Sequence, residues 1–253
     1  MQFHLTHYDS VTSTMDVARQ MAEAGAPEGS VTVADEQTSG RGRSAHIWYS
    51  PPAQSLYVSL LLRPALTPTQ TGWITMVAAL AMRDLIVEIR DWYKPASGAP
   101  PSPMVSIKWF NDVLLGGRKV CGILVESSLT DMRVDYAVLG IGLNVNTRFE
   151  DAPPDVRARA TSLAAAWGTT LDREMVLQRL LALFGARYER LVQTRRSPAP
   201  EYAPHVETLG REVHIDTGSE RVTGRAVRIA DDGALIVQTA QGERRIGFGD
   251  VTA

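Results

Sequence analysis

Apolar positions along the chain fall into two regimes. Up to about residue 195, stretches at helical spacing alternate with short runs at strand spacing. Beyond that point only short strand-like runs follow. Residues 3–8 alternate loosely and predict a first strand. Ser13-Thr14-Met15-Asp16 reads as a helix start, a hydroxyl with an acid three residues on. Val17, Ala18, Met21, Ala22 and Ala24 continue at helical spacing as far as Gly25. The β-branched run 31–34 predicts a second strand. Residues 36–52 are polar, contain Gly and show no apolar period, so they predict a long loop.

A third strand is predicted over 56–62, ended by Pro64 and Pro68. Residues 69–92 predict a long amphipathic helix that buries Trp73, Val77, Leu80, Leu85 and Ile89. The Pro-rich stretch 95–103 predicts a surface connection. Strands are predicted over 105–109, 119–126 and 136–143, with a hairpin turn at Gly116-Gly117 before the second. A short helix near 161–167 and an amphipathic helix over 174–192 follow. Residues 195–204, with Pro198, Pro200 and Pro204, read as a linker. Strands over 212–215, 222–229, 234–239 and 244–248, with turns at Gly218, Asp232-Gly233 and Gln241-Gly242, suggest a small barrel. The pattern predicts an α+β protein. A larger domain spans residues 1–198 and a small β domain spans residues 205–253.

Composition narrows the function classes. The 253 residues carry 26 Lys plus Arg against 28 Asp plus Glu, a net charge of -2, which argues against coating of nucleic acid by the whole surface. A local basic patch stays open. One Cys excludes an internal disulfide. The start MQFHLTHYDS lacks a basic segment followed by an apolar run, and the most apolar stretch, 73–82, is too short to span a bilayer. A cytoplasmic protein with no membrane partner is the expectation. The five His form no metal-ligand spacing, so no resident metal site is expected, and Cys121 in an apolar run reads as a buried small hydrophobe.

Four segments carry candidate chemistry. In the first, Gln37 precedes Gly40-Arg41-Gly42-Arg43, with Trp48 downstream. Gly permits close backbone approach, and Arg offers a planar charged fork to phosphate or carboxylate. Alone, it reads equally as a solvated loop or a nucleic-acid patch. In the second, Lys108-Trp109-Phe110-Asn111-Asp112 is followed by Arg118-Lys119 and Gly122 to Glu126. Turn chemistry and a solvated hairpin end explain it as well as a site does. In the third, Gly140-Ile141-Gly142-Leu143-Asn144 follows an apolar strand, without the third Gly of a dinucleotide fingerprint. In the fourth, Thr12-Ser13-Thr14 is a helix cap whose hydroxyls could face a cleft.

Taken in order, these segments resemble the biotin protein ligases. The matching pieces are Ser13-Thr14, Gln37 with Gly40 to Arg43 and Trp48, Lys108-Trp109 with Asn111-Asp112, Arg118-Lys119 with Gly122 to Glu126, and Gly140 to Asn144. The C-terminal Gly247-Phe248-Gly249-Asp250-Val251 also fits. The resemblance implies a class II synthetase-like mixed sheet with flanking helices and an SH3-like C-terminal barrel. It implies that biotin and Mg-ATP form biotinyl-5′-adenylate, and that biotin then passes to one lysine of a biotin carboxyl carrier protein. Monomer and homodimer both fit. The first catalytic strand starts near Phe3, so no N-terminal DNA-reading domain is expected.

Carried over by resemblance, Ser13, Thr14 and Gln37 would bind the ureido end of biotin. Gly40, Gly42, Gly122 and the 140–142 segment would lie against the ligand. Lys119 would reach the biotin carboxylate and the α-phosphate, joined by Arg41 and Arg43. Trp48 would cover the site, and Lys108, Asn111, Arg118 and Asn144 would serve the nucleotide. Fixed cations suit the joining of two anions, and Asp112 would orient the acceptor amine. An ordering Gly-rich loop would keep water from the adenylate. Three departures stand out: Ser44-Ala45-His46 replaces a basic residue and Gly, Phe110 replaces a usual Pro, and Cys121 replaces a small residue. The related rival is a lipoate or octanoate ligase or transferase. A nucleic-acid-binding module is the different class.

Overall fold

The computed structural model of the chain describes residues 1–43, 46–92 and 103–252. Its first sheet has seven strands: β1 (His4–Val11), β2 (Ser30–Gln37), β3 (Leu56–Leu62), β4 (Val105–Lys108), β5 (Asp112–Leu115), β6 (Arg118–Thr130) and β7 (Arg133–Leu143). Their order is β1-β2-β3-β7-β6-β5-β4. Only β1 and β2 pair in parallel, because α1 (Thr14–Glu23) carries the chain back between them. The other neighbours are antiparallel, joined by turns such as Gly116-Gly117, both at positive φ.

The two faces of the sheet have different coverings. β3 is buried at all seven positions. Leu56, Val58, Leu60 and Leu62 point into the main core with α2 (Gly72–Trp92) and α5 (Arg173–Thr194). The alternate residue Ser59 bonds to Thr14 of α1 on the other face. The expected long helices are both present, and α2 buries Trp73, Val77, Leu80, Leu85 and Ile89 as expected. Asp172 caps α5 by accepting from the backbone N–H groups of Glu174 and Met175.

The second sheet is antiparallel: β8 (Glu212–Asp216), β9 (Arg221–Ile229), β10 (Leu235–Thr239), β11 (Gly242–Ile246) and β12 (Asp250–Thr252), in the order β11-β10-β9-β8-β12. Its inward Val213, Ile215, Val222, Leu235 and Val237 join the same hydrophobic core as α2 and α5. Two tryptophans of the first unit pin the turn between β9 and β10. Trp73 Nε1 donates to the Asp231 carbonyl at 2.6 Å, and Trp109 Nε1 donates to the Gly233 carbonyl at 2.9 Å.

The expected linker at 195–204 is corrected here. It forms α6 (Ala199–Tyr202) and a 3-10 turn (Ala203–His205), with Ala199 and Tyr202 buried and the Tyr202 hydroxyl on the Phe110 carbonyl at 2.7 Å. Proline there starts short helical turns. Pattern reading also missed β5, β12 and α3 (Pro154–Arg159), each six residues or fewer. The short helix near 161–167 is α4 (Leu163–Trp167). Of the predicted surface connection, 95–102 lies outside the described residues.

Ion pairs knit α5 to α2 and α6. Arg179 holds the Glu88 carboxylate below its ordinary value, mainly through hydrogen bonds of 2.6 and 2.8 Å. Arg190 is the largest of the influences that do the same for Glu201, with Arg187 adding to it. Both folded values are depressed, so this stability is present above pH 4.5, the ordinary carboxylate value, and is lost as pH falls through the folded values. Glu88→Gln should therefore melt further below wild type at about pH 6 than at about pH 3, the gap narrowing as pH falls. Thermal melts at both pH values check this, and a gap that does not narrow at low pH contradicts it.

Candidate active site

Strand alternation divides β6 and β7 between core and cleft. Leu139, Ile141 and Leu143 face the core, while Gly140 and Gly142 face the opposite side. Gly122 and Leu124 stand opposite them on β6. Lys119 would point into the core by the same alternation. A register shift in the β5–β6 ladder prevents this, since Val113 pairs with Cys121 but Leu114 pairs with Lys119, leaving Val120 unpaired. Such a bulge re-aims the next side chain. Val120 and Cys121 are both fully buried as a result, and the carbonyl of Val120 accepts from the Asn144 backbone N–H. Burial pushes the Cys121 thiol up, which fits the expected inert hydrophobe.

The cleft on this face holds a cavity of about 490 Å³. At one end lies a fixed polar network. Gln37 Oε1 accepts from the Thr14 backbone N–H at 2.9 Å and from the Thr14 hydroxyl at 3.1 Å. Ser59 donates to Thr14 Oγ1 at 2.8 Å, and Gln37 Nε2 donates to Ser50 at 3.1 Å. Ser13 caps α1, as expected, by accepting from the Met15 N–H. Ser50 and Ser59 were invisible in sequence, because single serines in a loop and a strand carry no signal.

The middle of the cleft is floored by glycine, but not with bare backbone. A Cβ on Gly142 would lie 2.5 Å from Trp48 Cε2, and one on Gly122 would lie 2.7 Å from Trp48 Cζ3. The indole lies across both glycines. Met15 fills the space over Gly140, with Sδ 2.7 Å from a built Cβ. Gly122 and the 140–142 segment line the cavity as expected of residues against a ligand, and their missing side chains also admit Trp48 and Met15. Gly40 is also a packing glycine, beneath Ser50 and the Trp48 carbonyl, and is absent from the cavity wall.

Charge concentrates at the other end. Lys119 Nζ lies 2.7 Å from Asp112 Oδ1 and 5.3 Å from the Trp48 ring centroid. The first contact is a charge pair, the second a cation–π contact. Lys108 pairs in register with Asp112 across β4–β5 and lines the same wall. Asn111 is tied to β6, its Nδ2 donating to the Ile123 carbonyl at 2.9 Å. Its Oδ1 accepts from Arg43 Nη1 at 3.0 Å, and Arg43 Nη2 donates to the Gly249 carbonyl at 3.3 Å. The Arg43 guanidinium also sits 4.6 Å above the Phe110 ring. Burial pulls its pKa down, while the carboxylates of Asp250 and Asp112 push it up.

The Gly-Arg loop is itself a small hairpin. Trp48 N–H donates to the Gly40 carbonyl, Arg41 bridges Ile47, and Gly42 N–H donates to the His46 carbonyl at 2.7 Å. Ser44 and Ala45 lie outside the described residues. Arg41 does not turn toward Lys119. Its Nη2 sits 3.1 Å from Asp16 and 3.3 Å from Glu126. Arg118 is likewise apart from the cluster, exposed and donating to the Arg157 carbonyl. Asn144 lines the cavity, but its Nδ2 is committed to the Thr161 carbonyl at 3.1 Å. Two wall segments went unnoticed in sequence. One is Phe149, Val156 and Arg159 around α3, and the other is residues 249–252 from β12 and the residue before it. In the second, Gly249-Asp250-Val251 carried a signal only through the C-terminal resemblance.

Known proteins place the chain in a family. Residues 8–144 match the biotin/lipoate A/B protein ligase family, and residues 208–252 match the biotin protein ligase C-terminal domain. The bifunctional ligase/repressor BirA of Bacillus spizizenii is 34% identical over 249 residues, covering 98% of this chain and 73% of that protein. The biotin–[acetyl-CoA-carboxylase] ligase of Mycobacterium tuberculosis is 31% identical over 95% of this chain and 85% of its own length. Among solved structures, the biotin protein ligase of Aquifex aeolicus in complex with biotin and ATP superposes with a TM-score of 0.78 at 28% identity, covering 98% of this chain and 97% of its own. With the fold and both sequence matches in agreement, this chain belongs to the biotin/lipoate A/B protein ligase family and carries the C-terminal domain of its biotin protein ligases.

Proposed function

We propose that the protein activates biotin with Mg-ATP to biotinyl-5′-adenylate, releasing pyrophosphate, and transfers biotin to one lysine of a biotin carboxyl carrier protein. One observation carries this reading: a single cleft has a fixed hydrogen-bonding end at Thr14 and Gln37, an indole-covered middle, and a cationic end at Lys119 and Arg43. That order matches an acid with a polar head, an apolar body and a carboxylate tail.

In the first step a biotin carboxylate oxygen bonds to the α-phosphorus, and the bond from that phosphorus to the bridging oxygen of pyrophosphate breaks. Lys119 and Arg43 offset the repulsion between the two anions and stabilise charge on the phosphoryl oxygens. Lys119 must trade part of its contact with Asp112 for the substrate. Mg²⁺ enters with ATP as part of the substrate. Such an ion keeps phosphate and water ligands and needs one or two carboxylates at most. Asp112 and Asp250 line the cavity, whereas no cluster of three or more metal-ligating side chains occurs among the described residues.

In the second step the lysine amine attacks the biotinyl carbonyl and AMP leaves. Asp112, released from Lys119, orients the neutral amine and accepts the proton that nitrogen loses as the amide forms. Asn111, Arg43 and the Gly249 carbonyl close the cleft between the loop and the C-terminal unit. No helix among the described residues is long and apolar enough to cross a membrane. We place the activity in the cytoplasm, in a monomer or homodimer that needs no DNA.

Biotin-dependent exchange of labelled pyrophosphate into ATP tests the reading. Exchange is expected with biotin and not with lipoate or octanoate. The reverse pattern would assign the lipoate branch of the same fold.

A further inference from the structure

The two loop arginines are held in opposite ways. Both line the cavity, but Arg43 rests on neutral acceptors, Asn111 and the Gly249 carbonyl, so its charge is not opposed by a paired carboxylate. Arg41 rests on two carboxylates that converge on one nitrogen, Nη2: Glu126 of β6 by a hydrogen bond, and Asp16 of α1 by an ion pair. Asp16 is shared with Arg19 at 2.8 Å. The chain Arg19–Asp16–Arg41–Glu126 sums to zero charge. A phosphate approaching Arg41 would meet two carboxylates already on its guanidinium, so this arginine adds little attraction for an anion. Neither Asp16 nor Glu126 lines the cavity, and Glu126 faces a second hollow on the outer side of the loop.

We propose that Arg41 is the anchor of the Gly-Arg loop, and that Asp16 and Glu126 are positioning residues that set how long the loop retains the adenylate. The loop hairpin is closed by a few backbone bonds between residues 40 and 48. Apart from Arg41 and Arg43, its described tip carries only the side chains of His46 and Ile47, both exposed. Arg41 supplies the tie to the first sheet and α1, and Arg43 supplies the tie to the C-terminal unit. Charge-assisted bonds at half-exposed sites are individually modest, so two acting on one guanidinium suit a latch that must reopen each cycle.

This deepens the proposed function and rests on it. The test uses the full-length protein with Asp16→Asn, Glu126→Gln and the double variant. Neither residue lines the cavity, so biotin-dependent pyrophosphate exchange should stay close to wild type. Enzyme loaded with radiolabelled biotinyl-adenylate, freed of ATP and chased, should lose the label faster, by about threefold to tenfold in the double variant. Adding Arg41→Ala to the double variant should shorten retention no further, because the anchor is already gone. Wild-type retention in the double variant overturns the proposal. A further loss equal to that of Arg41→Ala alone overturns it too, since Arg41 would then act on the ligand directly. Amide hydrogen exchange over residues 38–43 in the unliganded protein gives an independent reading. Faster exchange in the double variant supports the latch, and unchanged exchange counts against it. Absence of biotin-dependent exchange in wild type would instead remove the proposed function, while the amide measurement still decides whether the carboxylates hold the loop.

Discussion

Lys119→Ala is expected to slow adenylate formation by roughly a hundredfold to a thousandfold while leaving the fold intact, the scale seen when one preorganised charge stabiliser is removed. Two effects of the structure add together. The variant deletes the cation that lies closest to Trp48 and Asp112. It also leaves Asp112, a half-buried carboxylate, with its charge unopposed in the cleft that must admit another carboxylate and a phosphate. Lys119→Ala combined with Asp112→Ala should recover part of the loss in adenylation, because the repelling charge goes too. It should still fail at transfer, where Asp112 is needed. Single-turnover quench of adenylate formation separates these outcomes. A Lys119→Ala enzyme with wild-type single-turnover adenylation would sink the assignment.

Gly142→Ala should cost biotin binding tenfold or more with little change in thermal stability. The added methyl would lie 2.5 Å from Cε2, 2.7 Å from Nε1 and 2.9 Å from Cζ2 of Trp48. An indole is rigid, and its other edge lies close over the Gly122 backbone on the same face of the sheet. It can only lift off the sheet. Overpacking of this kind costs about 1–3 kcal/mol, and here it falls on a cleft side chain rather than on the core. The core neighbours Ile141 and Leu143 point the other way and are untouched. Titration calorimetry with biotin, alongside a thermal melt, is the check. Unaltered biotin affinity would show that Trp48 has no part in shaping the channel.

Much of this was readable in one dimension. The 3.6-residue pattern of 69–92 and 174–192 was enough for α2 and α5, because each helix needs an apolar stripe and the stripe is written in sequence. The alternation Gly-Ile-Gly-Leu over 140–143 carried both a core face and a cleft face. The residue types for uniting two anions were visible too, as were Ser13 as a cap and Cys121 as a buried side chain. Short elements were not. β5 and β12 have four and three residues, too few for a period to register, and they exist because neighbouring strands supply their hydrogen bonds. The proline-rich stretch before β8 looked like a linker because proline marks breaks, yet its Tyr202 is fully buried against the Phe110 carbonyl.

By itself the sequence determined the α+β class, which follows from local periodicity, and the family, through the resemblance of its ordered motifs. Only the tertiary structure decided which charges act together. A register shift opposite Val113 aims Lys119 at Asp112. Asp16 and Glu126, 110 positions apart in sequence, meet on Arg41 at the cavity wall and oppose its charge there. Arg118, one position from Lys119, points outside. Direction and partner are properties of packed elements, and no spacing along a chain contains them until strand register and sheet face have been set.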